Sequence, residues 1–356
     1  MDDAKPQKAA ATVADVARAA GVSKATAARV LGRYGVVSDA VRERVEAVAK
    51  ELEYRPNELA RSMTTGRSGT IGVVVGDIEN PFFSSAVRGI SDVARAAGFN
   101  VVLANSGEDV AFERSAVKML VAKRVDGLIV SPASDSDIEH LIEILKTGRP
   151  ITLLDRAVKE LRVDMATADD RAAASAVAQL LIDRGHRNIA YLTACGVPGQ
   201  VYRGPVDLYT ASVRERVEGF IDACNRNAVQ GTVRLGAVGA KQTRAIAKDL
   251  LDGDAAPSAI IASDSLIALE LFKAARDMNI GIPDRLALVC FHDADWTSVT
   301  SPSVTVVQQP VYQLGEAAAK MLIERLKGKA GAPRHQVLPT ALIERGSTAG
   351  LIPEKM

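Results

Sequence analysis

Thr12-Val-Ala-Asp15-Val-Ala-Arg-Ala-Ala-Gly21-Val-Ser23-Lys-Ala-Thr26-Ala-Ala-Arg29-Val-Leu31 reads as two short helices folded over a tight turn. Thr12 with Asp15 three residues later makes a capping-box-like start, and Val13, Val16, Ala17 and Ala20 follow at helical spacing. Gly21 ends the first helix, and Ser23 is placed to cap a second, Lys24 to Leu31. Ala27, Val30 and Leu31 would then face inward, and Lys24, Ala25, Thr26 and Arg29 outward. A third helix is expected from Asp39 to Leu52, capped by Ser38, with Val41, Val45 and Val48 on its apolar side. Three short helices, the first two joined through a glycine turn, make residues 1–55 a helix-turn-helix module. The chain carries 44 Lys+Arg against 43 Asp+Glu, a formal charge of +1, yet between Lys5 and Arg33 the only acid is Asp15. A basic head on a neutral body suits a polyanionic partner.

Working outward, Tyr54-Arg-Pro56-Asn57 and Glu58-Leu-Ala60-Arg-Ser-Met63 run into the breaker-rich stretch Thr64 to Gly69, so 56–69 reads as a short conditional helix and linker. From Thr70 strands alternate with amphipathic helices. Candidate strands are Ile71 to Val75, Val101 to Ala104, Gly127 to Val130, Ile151 to Leu154, Ile189 to Thr193, Ile260 to Ala262 and Leu286 to Phe291. Candidate helices between them include Phe83 to Ala97, Phe112 to Ala122, Ala172 to Arg184, Val213 to Asn225, Leu266 to Met278 and Gly315 to Leu326. The alternation predicts an α/β fold with parallel, doubly wound sheets. Residues 70–356 are too many for one such sheet, so two lobes around a cleft are expected, with the chain crossing near 155–165, 292–300 and 326–335.

Composition narrows the function classes. With 47% hydrophobic and 24% charged residues the chain is globular rather than disordered. Its longest apolar runs are strand length, far below the ~20 residues of a spanning helix. Residues 1–11 hold no apolar secretory core, so a cytoplasmic protein without membrane attachment is expected. Cys195, Cys224 and Cys290 are scattered, and His140, His186, His292 and His335 form no HExxH, so neither metal nor cofactor is expected. The first strand exits through Gly72-Val-Val-Val-Gly76-Asp77-Ile-Glu-Asn-Pro81, which lacks a GxGxxG turn. No GxxxxGK[ST] loop and no GxSxG elbow occurs either, and the chain is read as a non-enzyme.

The sequence resembles the lactose-repressor (LacI/GalR) family of bacterial transcription factors along nearly its whole length. The resemblance is carried by Thr12 to Leu31, Tyr54 to Met63, Asp77-Ile-Glu-Asn80-Pro81-Phe82-Phe83, Arg124-Val-Asp126-Gly127, Leu154-Asp155-Arg156, Arg184-Gly185-His186, Arg216-Val-Glu-Gly219-Phe220 and Ser301 to Pro310. It implies a helix-turn-helix head and hinge helix joined to a two-lobed, periplasmic-binding-protein-like core. The activity implied is allosteric repression by a homodimer on a pseudo-palindromic operator, under control of a small effector, a sugar or sugar acid. A solute-binding protein for sugar uptake shares the core, but the basic head counts against it.

Residue by residue, the resemblance puts Lys24, Ala25 and Arg29 at base edges in the major groove, with Arg29 suited to bidentate contact with a guanine. Thr12, Ser23 and Thr26 would fix phosphates. In the hinge, Asn57 would cap the helix, Ala60 would let two hinge helices pack closely, and Met63 would wedge into a base step. Around the effector it implies Phe82, Asp155, Arg156, Arg216, Ser263, Asp264, His292 and Trp296. The family's usual Gly-Phe-Asp-Asp is here Cys290-Phe291-His292-Asp293, replacing a carboxylate with His292. Arg156, Arg216 and His292 together predict a cationic pocket suited to an anionic effector. Trp296 has two expected places: stacked on a sugar ring, where it would replace aromatic surface lost at Ala237, or packed in the core or at the lobe interface.

Overall fold

The computed structural model describes residues 11–32, 34–54, 67–196, 199–204, 208–253 and 255–349, and the chain divides into two compact units, 1–69 and 70–356.

The first unit holds α1 (Val13–Ala19), α2 (Lys24–Gly32) and α3 (Asp39–Glu51). The capping box forms as the sequence dictates: Asp15 N donates to Thr12 Oγ1 at 3.3 Å, and Thr12 N donates to the Asp15 carboxylate at 3.0 Å. Gly21 takes a φ of +63°, the left-handed conformation that lets the chain turn straight into α2. Ser23 Oγ then accepts from Thr26 N at 3.0 Å, a side-chain N-cap. Val16, Ala27, Val30 and Val45 close a small core between the three helices. Ser38 departs from expectation: it holds the extended N-cap backbone of α3 but its side chain makes no cap hydrogen bond, and Asp39 in the first turn supplies the negative charge that the helix start favours. Asn57, Ala60 and Met63 lie outside the described residues.

The second unit is two stacked Rossmann-like lobes. In chain order its elements are β1 (Thr70–Val75), α4 (Pro81–Ala96), β2 (Asn100–Asn105), α5 (Val110–Ala122), β3 (Gly127–Val130), α6 (Glu139–Lys146), β4 (Ile151–Leu154) and β5 (Asp164–Ala168). Then come α7 (Asp170–Asp183), β6 (Asn188–Leu192), α8 (Ala211–Arg226), β7 (Gln230–Arg234), α9 (Gly239–Leu251), β8 (Ala259–Ala262) and α10 (Ser265–Asp277). The last are β9 (Ala287–Phe291), α11 (Asp295–Val299), β10 (Thr305–Gln308), α12 (Val311–Leu326), β11 (His335–Leu338) and β12 (Ala341–Ile343). One sheet runs β11-β5-β4-β3-β1-β2 and the other β12-β10-β9-β8-β6-β7, parallel throughout except for β12 against β10.

The crossings between lobes lie elsewhere than expected. β5 still belongs to the first sheet, so the first crossing falls at Asp169, not in 155–165. β10 still belongs to the second, moving the second crossing from 292–300 to Gln309 and Pro310, and the third falls between β11 and β12 rather than in 326–335. The physical reason is one of composition: Asp164-Met-Ala-Thr-Ala168 is buried yet poor in β-branched residues, and β11 is an exposed edge strand, so neither announces itself.

Each sheet is covered on both faces. Val75, Ile90 and Leu314 pack under α4 and α12, and Leu120, Leu128 and Leu141 under α5 and α6. In the second lobe Leu181, Tyr191 and Phe220 pack under α7 and α8, and Ile260 and Leu271 under α9 and α10. Close helix crossings depend on glycine: a Cβ on Gly219 of α8 would stand 2.2 Å from the Arg171 carbonyl oxygen of α7.

Candidate functional site

In parallel sheets, ligands gather at the carboxyl ends of the strands, and here the strand ends of both lobes border one cleft of about 620 Å³. Phe82 and Glu108 come from the ends following β1 and β2, Asp155 and Arg156 from β4, Ser263 and Asp264 from β8, and His292 from β9. Arg216 reaches in from α8. Of the sequence-predicted effector residues, the structure therefore brings together Phe82, Asp155, Arg156, Arg216, Ser263, Asp264 and His292.

It does not bring Trp296. That side chain sits on α11 and packs edge-on against Phe272 of α10, ring centroids 6.3 Å apart, within the second lobe's core. The cause is next to it in sequence: Asp293 accepts from both terminal nitrogens of Arg345, each at 2.8 Å, which ties the 293–299 segment to the chain's end and away from the cleft. The aromatic surface missing at Ala237 is not replaced by Trp296.

Charge in the cleft also differs from expectation. Arg156 is clamped by Glu108 at 2.5 and 2.8 Å, donates to Pro132 O at 2.9 Å, and lies 5.7 Å over the Phe83 ring. Burial works against its charge, but Glu108, with Asp155 and Glu113, more than offsets burial and holds its pKa above the ordinary value. Arg216 donates through Nε to Asp170 at 2.6 Å and through Nη1 to Ser263 O at 3.0 Å, with its guanidinium 4.4 Å over the Phe291 ring. His292, held at φ +71° with Nδ1 3.4 Å from Ser265 Oγ, is pushed below its ordinary pKa by burial and is neutral. With both guanidiniums matched by carboxylates, and with Asp77, Glu79 and Asp264 on the same walls, the pocket is not the cationic one the sequence suggested.

Burial pushes Asp155 and Asp264 up from the ordinary carboxylate range. Asp264 Oδ1 caps α10, accepting from Leu266 N and Ile267 N at 2.9 Å each. Asp155 holds a φ of +67° and accepts from Ser212 Oγ of the other lobe at 3.3 Å. Four polar atoms of cleft residues are buried without a hydrogen-bond partner among the described residues: Asp155 Oδ1, Arg156 Nε, Thr210 Oγ1 and Gln309 Nε2. An acceptor, a hydroxyl and two donors left open in this way are what a polyhydroxylated ligand would satisfy. Sequence reasoning missed Glu108, Thr210 and Gln309. Gln309 sat within the quoted Ser301 to Pro310 motif, whereas nothing local marks the other two.

In the first unit, α2 exposes Lys24, Ala25 and Arg29, and Thr26 is half-buried. Arg29 makes no ion pair among the described residues, which leaves its guanidinium available on the outer face. Among the described residues there is no group of three or more His, Cys, Asp or Glu side chains placed to hold a metal ion, and no helix long and apolar enough to cross a membrane.

Two family models match the chain: bacterial regulatory proteins of the lacI family over residues 12–57, and a periplasmic binding protein-like domain over residues 178–348. The ribose operon repressor of Halalkalibacterium halodurans is 32% identical over 95% of this chain and 97% of its own. The chain belongs to the lacI family. Lac repressor, solved as a dimer bound to operator and the anti-inducer ONPF, superposes with a TM-score of 0.81 at 27% identity over 96% of this chain and 99% of that one. The transcriptional regulator CelR in complex with cellobiose matches at a TM-score of 0.68 and 27% identity, over 95% and 99% of the two chains. For this lacI-family chain the α/β, two-lobed, periplasmic-binding-protein-like fold with a helix-turn-helix head holds across the described residues.

Proposed function

We propose that the protein is a DNA-binding transcriptional repressor, acting as a homodimer in the cytoplasm, whose operator affinity is set by a sugar-class effector held between the two lobes. One observation carries this reading: among the described residues the same chain exposes an arginine without an ion pair on the second helix of a helix-turn-helix and, in its second unit, holds a two-lobed cleft lined by buried hydrogen-bonding groups without a partner. Its relatives point the same way, since the lac repressor dimer is bound to operator and CelR to cellobiose.

On DNA, Arg29 would bridge a guanine edge, Lys24 and Ala25 would flank it, and Thr12, Ser23 and Thr26 would set register on phosphates. Asn57, Ala60 and Met63 are assigned to the hinge helix, with Met63 as the minor-groove wedge. In the cleft, Asp155, Thr210 and Gln309 would bind ligand hydroxyls, Phe82 would offer an apolar face, and Arg216 would hold the effector against the second lobe. Paired arginines and a neutral His292 favour an uncharged sugar over a sugar acid. Because the ligand contacts both lobes, its binding free energy shifts their relative population, and ~1–3 kcal/mol of coupling changes DNA affinity ~5–150-fold. The curated relatives are named as repressors and transcriptional regulators, which supports a binding rather than a catalytic role.

The test is selection of a bound duplex from a random pool by the purified protein, followed by anisotropy titration of that duplex with uncharged sugars and with sugar acids. A selected pseudo-palindrome whose affinity shifts with an uncharged sugar supports the whole reading. A shift with sugar acids alone overturns the charge argument, and no selected sequence overturns the repressor.

A further inference from the structure

The two lobes are also joined beside the cleft, through residues of which Asp135 and Arg214 do not line it. The loop following β3 presents Asp135, whose backbone N donates to Tyr209 O of the other lobe at 2.9 Å and whose carboxylate pairs with Arg214 of α8. Arg214 also donates to Leu208 O at 3.0 Å, which fixes the guanidinium to its own lobe. Neither Asp135 nor Arg214 lines the cleft. Both border a second cavity, about 1020 Å³, separated from the cleft by Asp155 and Ser212, which line both.

The loop carrying Asp135 is built to be stiff. Glu113 of α5, 1% exposed, accepts from Ala133 N at 2.6 Å and pairs with His140 at 2.7 Å. Ser134 Oγ accepts from Ser136 N and Asp137 N at 3.2 and 3.1 Å, and Asp137 is held by Arg114 at 2.9 Å. Such a brace holds Asp135 at a fixed point, so its bonds to Tyr209 and to Arg214 of α8 form only at one separation of the lobes. The pair is half sheltered, with side-chain exposures of 28% for Arg214 and 17% for Asp135, so it is screened less than a surface ion pair.

We propose that Asp135 and Arg214 are positioning residues, a latch outside the cleft that holds the lobes at the separation completing it. α8 carries the latch and the cleft residues on one rigid rod: Arg214 lies between Ser212, which bonds Asp155 across the lobes, and Arg216. Releasing the latch increases the fraction of molecules with separated lobes, and a ligand that needs both walls binds more weakly by that fraction.

The Asp135 amide reports the latch directly, because its acceptor is on the opposite lobe. Hydrogen exchange of the full-length protein, followed by mass spectrometry on the 131–138 segment, needs no ligand. In Arg214→Gln, exchange there rises about tenfold, the loss expected for a hydrogen-bonded charge pair, while segments in β3 and β8 keep wild-type protection. The double exchange Asp135→Arg with Arg214→Asp restores part of that protection. Unchanged exchange in Arg214→Gln overturns the proposal. So does a uniform rise over both lobes, which marks a folding defect, or a double variant no more protected than Asp135→Arg alone.

Discussion

Gly219→Ala adds one methyl group at the crossing of α7 and α8, and the structure fixes its consequence. The new Cβ would stand 2.2 Å from Arg171 O and 3.0 Å from Arg171 C, all backbone of the facing helix. An ordinary C···O contact is about 3.3 Å, so the start of α7 must retreat by about 1 Å. Asp170 precedes Arg171, and Arg216 lies one turn before Gly219, so the same retreat stretches the 2.6 Å bond between Asp170 and Arg216 beyond hydrogen-bonding range. Overpacking costs ~1–3 kcal/mol and the charged hydrogen bond ~1.5–3 kcal/mol, against a gain of ~1 kcal/mol from replacing glycine within a helix. The net is a loss of roughly 1.5–5 kcal/mol, or a melting temperature lower by roughly 3–20 °C. Scanning calorimetry measures it, with Gly204→Ala as control, since nothing lies within 4 Å of a Cβ there. Gly219→Ala melting within about 1 °C of wild type would refute the close crossing and the rigid mounting of Arg216 derived from it.

Other consequences are equally open to measurement. Arg29→Ala should cost about 1–3 kcal/mol of operator affinity, concentrated at one base pair, with an unchanged melting curve; a uniform loss over all sequences would make Arg29 a phosphate contact. His186, buried with Nδ1 against Ser258 Oγ at 2.9 Å, is pushed down to about 4 by burial and by Arg184 and Arg187. A lowered histidine leaves the unfolded chain binding the extra proton, so stability is full above pH 6.5 and falls toward pH 4, by roughly 3 kcal/mol. Chemical denaturation at stepped pH should show His186→Gln with a flatter profile over that window; identical slopes would remove His186 as the cause. Trp296→Phe should leave effector affinity unaltered in calorimetric titration, because the indole packs on Phe272 outside the cleft; a tenfold loss would put Trp296 back at the ligand.

What the sequence disclosed was chiefly local. The capping box of Thr12 and Asp15, the helix end at Gly21 and the cap at Ser23 each depend on residues within four positions, and they form as read. Strands β1, β3, β4, β8 and β9 are short apolar runs buried along their length, which run length and β-branched content detect. β5 and β11 escaped because alanine-rich or exposed edge segments owe their conformation to neighbours rather than to their own side chains. The cleft was legible as a set of residues but not as a charge balance. Glu108 lies 48 residues before Arg156, and Asp170 46 before Arg216, so their neutralisation exists only once the sheets are assembled. Trp296 was misplaced for a similar reason, since the tie from Asp293 to Arg345 spans 52 positions.

The central claim is that a ligand between the lobes controls a head that binds DNA. The most direct measurement is the dissociation constant of full-length protein for its selected duplex, taken with and without saturating uncharged sugar, in wild type and in Asp155→Asn. The account predicts a shift of at least fivefold in wild type that is lost in Asp155→Asn, while ligand-free DNA affinity is the same in both. A DNA affinity indifferent to every sugar that measurably binds the cleft would contradict it.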